Sequence, residues 1–282
     1  MNEATHTNQW CPGCGDFGIL LAIKNAIVTL GYNPKDVVVA SGIGCSGKLP
    51  HYIKTYGFEG LHGRALPAAS GIKLANNDLH VIAVGGDGDG YGIGMGHFVH
   101  SLRRNIDMTY LVHNNQVYGL TTGQTSPTSV KGYSSKSTPH GVIEEPINPI
   151  ALAMNAGGTF VARSFSGDLK HLTEMLVQAD KHRGFAFIDC LQPCITFNKI
   201  NTYQYFQKRC YKLGEDYDPT NFNSAMEKAW EWERTGDKIP IGVIYKKEHS
   251  TYEDELPSLK EKPLVKHDIS NVNIDSIIKE YL

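Results

Sequence analysis

Two cysteines close a tight C-x-x-C at Cys11 and Cys14, and two more stand alone in the segments Gly42-Ile43-Gly44-Cys45-Ser46-Gly47-Lys48 and Gln192-Pro193-Cys194. Four thiolates that converge suit either tetrahedral zinc or an iron–sulphur cluster. A C-x-x-C by itself also fits a thioredoxin-like pair or half a zinc site. A second set of unusual residues is Gly85-Gly86-Asp87-Gly88-Asp89-Gly90, followed by Asn114-Asn115-Gln116-Val117-Tyr118-Gly119. A glycine on each side of Asp87 lets backbone N–H groups approach a diphosphate closely. Asp87 can then bind a divalent ion that bridges the phosphates, with Asn115 and a carbonyl near Val117 completing an all-oxygen Mg²⁺ shell. The plainer alternative is a glycine-rich turn and a solvated loop. Neither segment is a Walker loop, because no G-K-[ST] follows the glycines. The one G-x-G-x-x-G, Gly42 to Gly47, is followed by Pro50, which weakens a helix opening there.

Fewer side chains recommend themselves singly. Lys48 lies three residues past Cys45, where a cation can hold a carboxylate or stabilise developing charge; the alternative is a surface lysine. His62 and Arg64, in L-H-G-R, are candidates for contact with a cofactor ring or a substrate, although a lone histidine is more often a packed residue. Thr121, Thr122 and Gln124 follow the Asn115 loop and are candidates to line the same pocket. His97 and His100 have helical spacing and read as packing residues, His140 as a loop residue, Cys190 as buried packing and Cys210 as incidental.

The elements that must position these residues follow from pattern. Helices are predicted over 16–30 (closed by Gly31), 66–76, 92–104, 149–155 and 168–182. Short β-rich runs fall at 37–41, 80–85, 108–114 and 185–190, with another strand at 159–164. Their continuous apolar character suits strands covered on both faces. The alternation predicts an α/β fold with a doubly wound, mostly parallel sheet. Ligands of such sheets bind beyond the carboxyl ends of the strands. There the segments carrying Cys45, Asp87, Asn115 and Cys194 all fall, which makes one composite site the economical reading. A domain of residues 1–198 would carry it. Residues 199–282 read as an extension packing on that domain or on a partner: polar and aromatic at first, then an amphipathic helix over 221–235, a strand at 241–246 and a charged, extended stretch over 247–268.

Composition bounds the rest. The chain has 282 residues, 27 Lys+Arg against 29 Asp+Glu, and 41% apolar residues, enough for a large core. Near-neutral charge argues against binding nucleic acid through its phosphates. No apolar run is long enough for a membrane span, and the N-terminus lacks a basic start and an apolar core, so no signal peptide is expected. A cytoplasmic setting follows, in which six cysteines are thiols or metal ligands rather than disulfides.

Taken together, C-P-G-C-G, S-G-I-G-C-S-G-K, L-H-G-R, G-D-G-D-G and N-N-Q-V-Y-G-L-T-T-G-Q, in that order over about residues 10–195, resemble the β subunit of 2-oxoacid:ferredoxin oxidoreductases. The G-D-G and N-N pair is similar to the signature of thiamine diphosphate enzymes. That resemblance implies Asp87, Asn115 and the Val117 carbonyl as Mg²⁺ ligands. It implies cofactor contacts from Ile43, Gly44, Cys45, Ser46, His62, Gly88, Asp89, Gly119 and Leu120, with Thr121 beside them, and one 4Fe-4S cluster on Cys11, Cys14, Cys45 and Cys194. The implied activity is oxidative decarboxylation of a 2-oxoacid to acyl-CoA and CO₂, with electrons passed through the cluster to ferredoxin. An α subunit is implied as well, to supply the activating glutamate and the other half of the cleft. The run L-T-T-G-Q-T-S-P-T-S resembles 2-oxoglutarate-type or broad-range members before pyruvate enzymes. Two alternatives are a non-redox thiamine diphosphate decarboxylase or carboligase, which has no use for the four cysteines as a set, and a zinc-stabilised interaction module.

Overall fold

Runs with apolar side chains on both faces are satisfied only when helices cover both faces of the sheet. The computed structural model describes residues 8–270 and 272–282; most of the segment read as lacking a signal peptide lies outside them. In chain order the elements are α1 (Asp16–Leu30), β1 (Val37–Ser41), β2 (Tyr56–Glu59), α2 (Ala65–Ala75), β3 (His80–Gly86), α3 (Met95–Arg104), β4 (Met108–Asn114), β5 (Val117–Tyr118), β6 (Gln124–Thr125), α4 (Pro149–Asn155), β7 (Phe160–Phe165), α5 (Leu169–Lys181) and β8 (Phe185–Leu191). They continue with α6 (Tyr203–Arg209), β9 (Cys210–Lys212), α7 (Phe222–Ala229), α8 (Glu231–Thr235), β10 (Ile239–Lys246), α9 (Tyr252–Glu255), α10 (Pro257–Lys260) and α11 (Asp275–Lys279).

Eight strands form one sheet in the order β2-β1-β3-β4-β8-β7-β10-β9. Every neighbouring pair is parallel except β7 with β10. Side-chain alternation sorts the core into two layers. Val37, Val39, Ile82 and Ile188 face α1 and α5, where Ile19, Ile23 and Leu176 meet them. Ala83, Tyr110, Val112 and Phe187 face α2, α3 and α4. Because β1 has β2 on one side and β3 on the other, the strand order reverses between β1 and β3. A crevice opens above their carboxyl ends at that point. Helix α1 ends where expected: Gly31 adopts φ 73° and its N–H caps the carbonyls of Ile27 and Val28.

Several expectations are corrected. Helix α3 starts at Met95, not at residue 92, because Gly88–Ile93 form a wide, irregular turn in which Gly92 leaves helical geometry. The predicted helix over 221–235 is two helices that meet at Trp230. The stretch expected to run extended holds α9, nucleated by a capping box between Thr251 and Asp254, then α10 and a short 3₁₀ turn at Leu264–Lys266. Among the described residues no helix is long and apolar enough to cross a membrane.

Candidate active site

A cavity of about 300 Å³ lies above β1, β3 and β4, lined by residues 43–46, 86–89 and 117–121 together with Asn115, His62, Asp16 and His113. At one end Asp87 is buried. Its Oδ2 accepts the hydroxyls of Ser126 and Thr128 (2.8 Å for Thr128), whereas Oδ1, among the described residues, accepts the Asn115 N–H at 3.4 Å. Burial pushes this carboxyl up to about 6, and the two hydroxyls pull against that rise. Asn115 Oδ1 accepts the Val117 N–H at 3.1 Å, across a tight turn that holds Gln116 at φ 60°. A buried carboxylate with one nearly free oxygen beside an amide oxygen is a hard donor set that fits a divalent cation. Gly88 must be bare, since a Cβ there would meet the Tyr118 ring at 2.2 Å. Its carbonyl accepts the Tyr118 hydroxyl.

The four cysteines of the sequence reading gather at the other end. Cys14 turns back on Cys11 through a 2.9 Å backbone bond. The Trp10 indole N–H donates to the Cys45 carbonyl at 2.8 Å, and the Gly15 N–H donates to the Pro193 carbonyl, so the C-x-x-C turn is tied to both distant cysteine loops. A Cβ at Gly119 would stand 3.5 Å from Cys194 Sγ and 3.6 Å from Cys45 Sγ. Burial pushes the Cys45 thiol up to about 12, with Cys194 and Cys11 near enough to add to the rise, and it also raises Cys14 and Cys194. Among the described residues no three His, Cys, Asp or Glu side chains come close enough to share one metal ion. The corners of a four-iron cage stand further apart than the donors around a single ion, and the bare Gly119 backbone leaves room between two of the sulphurs.

Between the two ends, His62 Nδ1 lies 2.8 Å from Asp89 Oδ1, which also accepts the N–H groups of Gly63 and Ile43. Asp89 therefore knits three loops as well as lining the cavity, and burial raises its pKa. Gly44, Ser46, Leu120 and Thr121 line the cavity. Lys48 and Arg64 are not brought to its lining, and of the four cysteines Cys45 lines it. Lys48 Nζ donates to Gln9 Oε1 at 3.1 Å, near enough to lower the Cys45 thiol. Arg64 extends over solvent and donates from Nη1 to the carbonyls of His62 and Gly63. Thr122 and Gln124 also stand off the lining, Gln124 accepting the Thr121 hydroxyl.

The sequence reading missed a buried pair in the cavity wall. His113 Nδ1 is 2.6 Å from Asp16 Oδ1, and Asp16 Oδ2 accepts the Cys14 thiol at 3.3 Å. The available signal was a histidine inside the otherwise apolar strand run Tyr110–His113, directly before the Asn114-Asn115 motif. Gln192 stands out in the sequence only as a neighbour of Cys194. It joins the two ends of the site, accepting from the Asn115 amide at 2.8 Å and donating to Cys14 Sγ at 3.3 Å.

Comparison with known proteins agrees with this geometry. Residues 37–190 match the thiamine pyrophosphate enzyme C-terminal TPP binding domain, and residues 194–261 match the C-terminal region of the pyruvate ferredoxin oxidoreductase β subunit. The 2-oxoacid:ferredoxin oxidoreductase subunit β of Saccharolobus solfataricus is 50% identical, over 97% of this chain and 96% of that protein. The 2-oxoglutarate oxidoreductase subunit KorB of Mycobacterium tuberculosis is 50% identical over 67% of this chain and 51% of its own. A solved structure of 2-oxoglutarate:ferredoxin oxidoreductase from Magnetococcus marinus, with 2-oxoglutarate, coenzyme A and succinyl-CoA bound, superposes with a TM-score of 0.90 at 38% identity, covering 99% of this chain and 94% of that one. Neither a non-redox carboligase nor a non-enzymatic module accounts for matches that run through both regions. With the diphosphate-type loops and the four cysteines on one sheet edge, the chain belongs to the β subunits of the 2-oxoacid:ferredoxin oxidoreductases.

Proposed function

We propose that this chain, paired with an α subunit, oxidatively decarboxylates a 2-oxoacid to its acyl-CoA and passes the electrons through one 4Fe-4S cluster to ferredoxin. The observation that carries this reading is the joining of the Asp87–Asn115 loops to the four-cysteine set through Gln192. When bound, thiamine diphosphate supplies the carbanion chemistry and electron sink that a 2-oxoacid needs, magnesium neutralises the diphosphate, and the cluster takes electrons singly. Asp87, Asn115 and the Val117 carbonyl would hold the magnesium, and Gly88 and Gly119 leave backbone room for the cofactor. Cys11, Cys14, Cys45 and Cys194 would hold the iron. Burial keeps Cys14, Cys45 and Cys194 as thiols until a cationic centre is present to stabilise thiolates.

His62 has a defined role. Its Nδ1 faces a carboxylate, which only accepts, so Nδ1 carries the proton and Nε2 is left as an acceptor for a donor on the cofactor ring. Lys48 exchanges Gln9 for the substrate carboxylate. The α subunit supplies the activating glutamate and closes the open side of the cavity. Residues 1–198 carry the chemistry, while 199–282 form the extension that steadies them or meets the partner.

For the substrate, 2-oxoglutarate or a broad range comes before pyruvate. The relatives support this order. The T-S-P-T-S run does not, because Ser126, Thr128 and Ser129 are buried and stand off the cavity lining. The test is coexpression with the α subunit, anaerobic purification, and assay of 2-oxoglutarate, 2-oxobutyrate and pyruvate with coenzyme A and ferredoxin. Expected are iron and sulphide matching one 4Fe-4S cluster per chain, bound thiamine diphosphate, and no oxoacid oxidation by this chain alone. A purified complex free of iron, or full turnover without the partner, overturns the proposal.

A further inference from the structure

Asp87 is held by residues that the function just described does not use. In the segment Ser126-Pro127-Thr128-Ser129, the two serines and Thr128 are buried behind the cavity and Pro127 is half-buried. Both the Ser126 and Thr128 hydroxyls donate to one carboxylate oxygen, Asp87 Oδ2. The turn is tied down independently of Asp87. Gln116 Nε2 donates to the Thr128 carbonyl at 3.0 Å, the Ser129 hydroxyl donates to the Gln116 carbonyl, and the Ser126 N–H donates to Ser129 Oγ at 2.9 Å. The single Thr128 hydroxyl proton is shared between Asp87 Oδ2 and Asn114 Oδ1, 2.9 Å away, and the Asn114 amide donates to Asp189 Oδ1 at 2.9 Å, a fully buried carboxylate that the Tyr91 hydroxyl also reaches. The result is a polar chain running from the sheet core to a single oxygen of Asp87.

The asymmetry at Asp87 is the informative feature. Oδ2 takes two hydroxyl donors, while Oδ1 keeps one long N–H contact. An unconstrained carboxylate rotates about its last bond at little cost; two converging hydroxyls remove that freedom. We propose that the Ser126-Pro127-Thr128-Ser129 turn is a positioning latch for the cation-binding carboxylate, fixing Asp87 through Oδ2 so that Oδ1 is left to the divalent ion. The proposal rests on Asp87 as a magnesium ligand. It assigns a role to a run that the sequence connects with substrate choice. Ser126 and Thr128 are positioning residues, acting through Asp87 and touching neither cofactor nor substrate. Outer-shell partners of this kind are worth roughly 10–100-fold in metal affinity.

The test is Mn²⁺ binding to the assembled enzyme, purified with its α subunit, cleared of divalent ions and given thiamine diphosphate. The loss of free Mn²⁺ is followed by its electron paramagnetic resonance signal. Thr128→Val, which keeps the shape and removes the donor, and Ser126→Ala are each expected to raise the apparent Kd for Mn²⁺ at least tenfold. Thr128→Ser restores wild-type affinity, and iron content and elution volume stay unchanged in all three variants. A purely structural role predicts lower thermal stability with Mn²⁺ affinity intact; affinity within twofold of wild type in either folded variant overturns the latch. Asp87→Ala separates the two levels of the argument. If it abolishes Mn²⁺ binding while Thr128→Val and Ser126→Ala do not weaken it, the latch fails and the magnesium reading stands. If Asp87→Ala leaves Mn²⁺ binding unchanged, the magnesium reading fails and takes the latch with it.

Discussion

His62 and Asp89 meet through one contact, Nδ1 to Oδ1 at 2.8 Å, and that same oxygen also gathers the Ile43 and Gly63 N–H groups. One buried carboxylate therefore sets both a side-chain tautomer and the spacing of two cavity loops. Asp89→Ala leaves three donors without their acceptor. The Gly63 N–H is buried and the other two donors are part-exposed; at about 1–3 kcal/mol for a buried donor left unpaired, thiamine diphosphate affinity falls about tenfold. His62→Ala removes one donor, leaves the Ile43 and Gly63 N–H groups bonded to Asp89, and costs less. Calorimetric titration of the two variants ranks them, and a larger loss in His62→Ala would reverse the assignment.

Gly119 reports on the sulphur set. A Cβ there is in ordinary contact with Cys45 and Cys194, at 3.6 and 3.5 Å, and this glycine is not among those with positive φ. Alanine therefore fits the metal-free chain, and folding stability changes by less than about 1 kcal/mol. The new methyl group stands between two sulphurs proposed to hold iron. Gly119→Ala is expected to lose at least half its iron and sulphide while its thermal midpoint stays put. Full iron content in this variant means that the cluster lies elsewhere.

Lys48 is close enough to Cys45 to lower its thiol, and among the described residues its amine donates to a neutral amide oxygen on Gln9. A substrate carboxylate is the stronger partner, because it adds the attraction of two opposite full charges to the hydrogen bond. Lys48→Ala is expected to keep the iron–sulphur absorbance and lose about 100-fold in kcat/KM for the 2-oxoacid. Gln9→Ala should change it little. Unchanged kcat/KM in Lys48→Ala removes the residue from substrate binding.

Much of this site is legible from sequence because its parts are local. Helix α1 is read to the residue from its apolar content and Gly31. Each of Cys45, Asp87 and Asn115 follows a short apolar strand, so a parallel sheet brings them to one edge without further information. What escapes the sequence is closure over distance. The Asp87 latch comes from residues 39 and 41 positions away, and the Asp16–His113 pair spans 97. No period or spacing signals such pairs. Strand β2 escapes for a different reason. All four of its residues are exposed at the sheet edge, so burial imposes no pattern on Tyr-Gly-Phe-Glu. Lys48 and Arg64 read as site residues from position alone, which fixes where a Cα lies but not what a long side chain reaches.

Away from the site, His182 makes stability depend on acid. It is buried at the end of α5, its Nε2 2.8 Å from Thr159 Oγ1 and its ring 5.4 Å from that of Phe160. The single Thr159 hydroxyl proton goes to Asn105 Oδ1 at 2.6 Å, so Thr159 accepts from His182 Nε2–H. Burial, with Lys246 adding to it and Asp107 opposing, pushes His182 down from 6.5 to about 4. The folded protein thus holds the ring neutral where the unfolded chain takes up a proton. Stability is fully present above pH 6.5 and is lost as the pH falls toward 4, by an amount on the order of 2 kcal/mol once partial solvent screening is allowed for. His182→Gln can donate to Thr159 but cannot titrate. The drop in thermal midpoint between pH 7.5 and 5 should be smaller in His182→Gln than in the wild type. Equal drops would mean that the folded protein holds His182 no more neutral than the unfolded chain does.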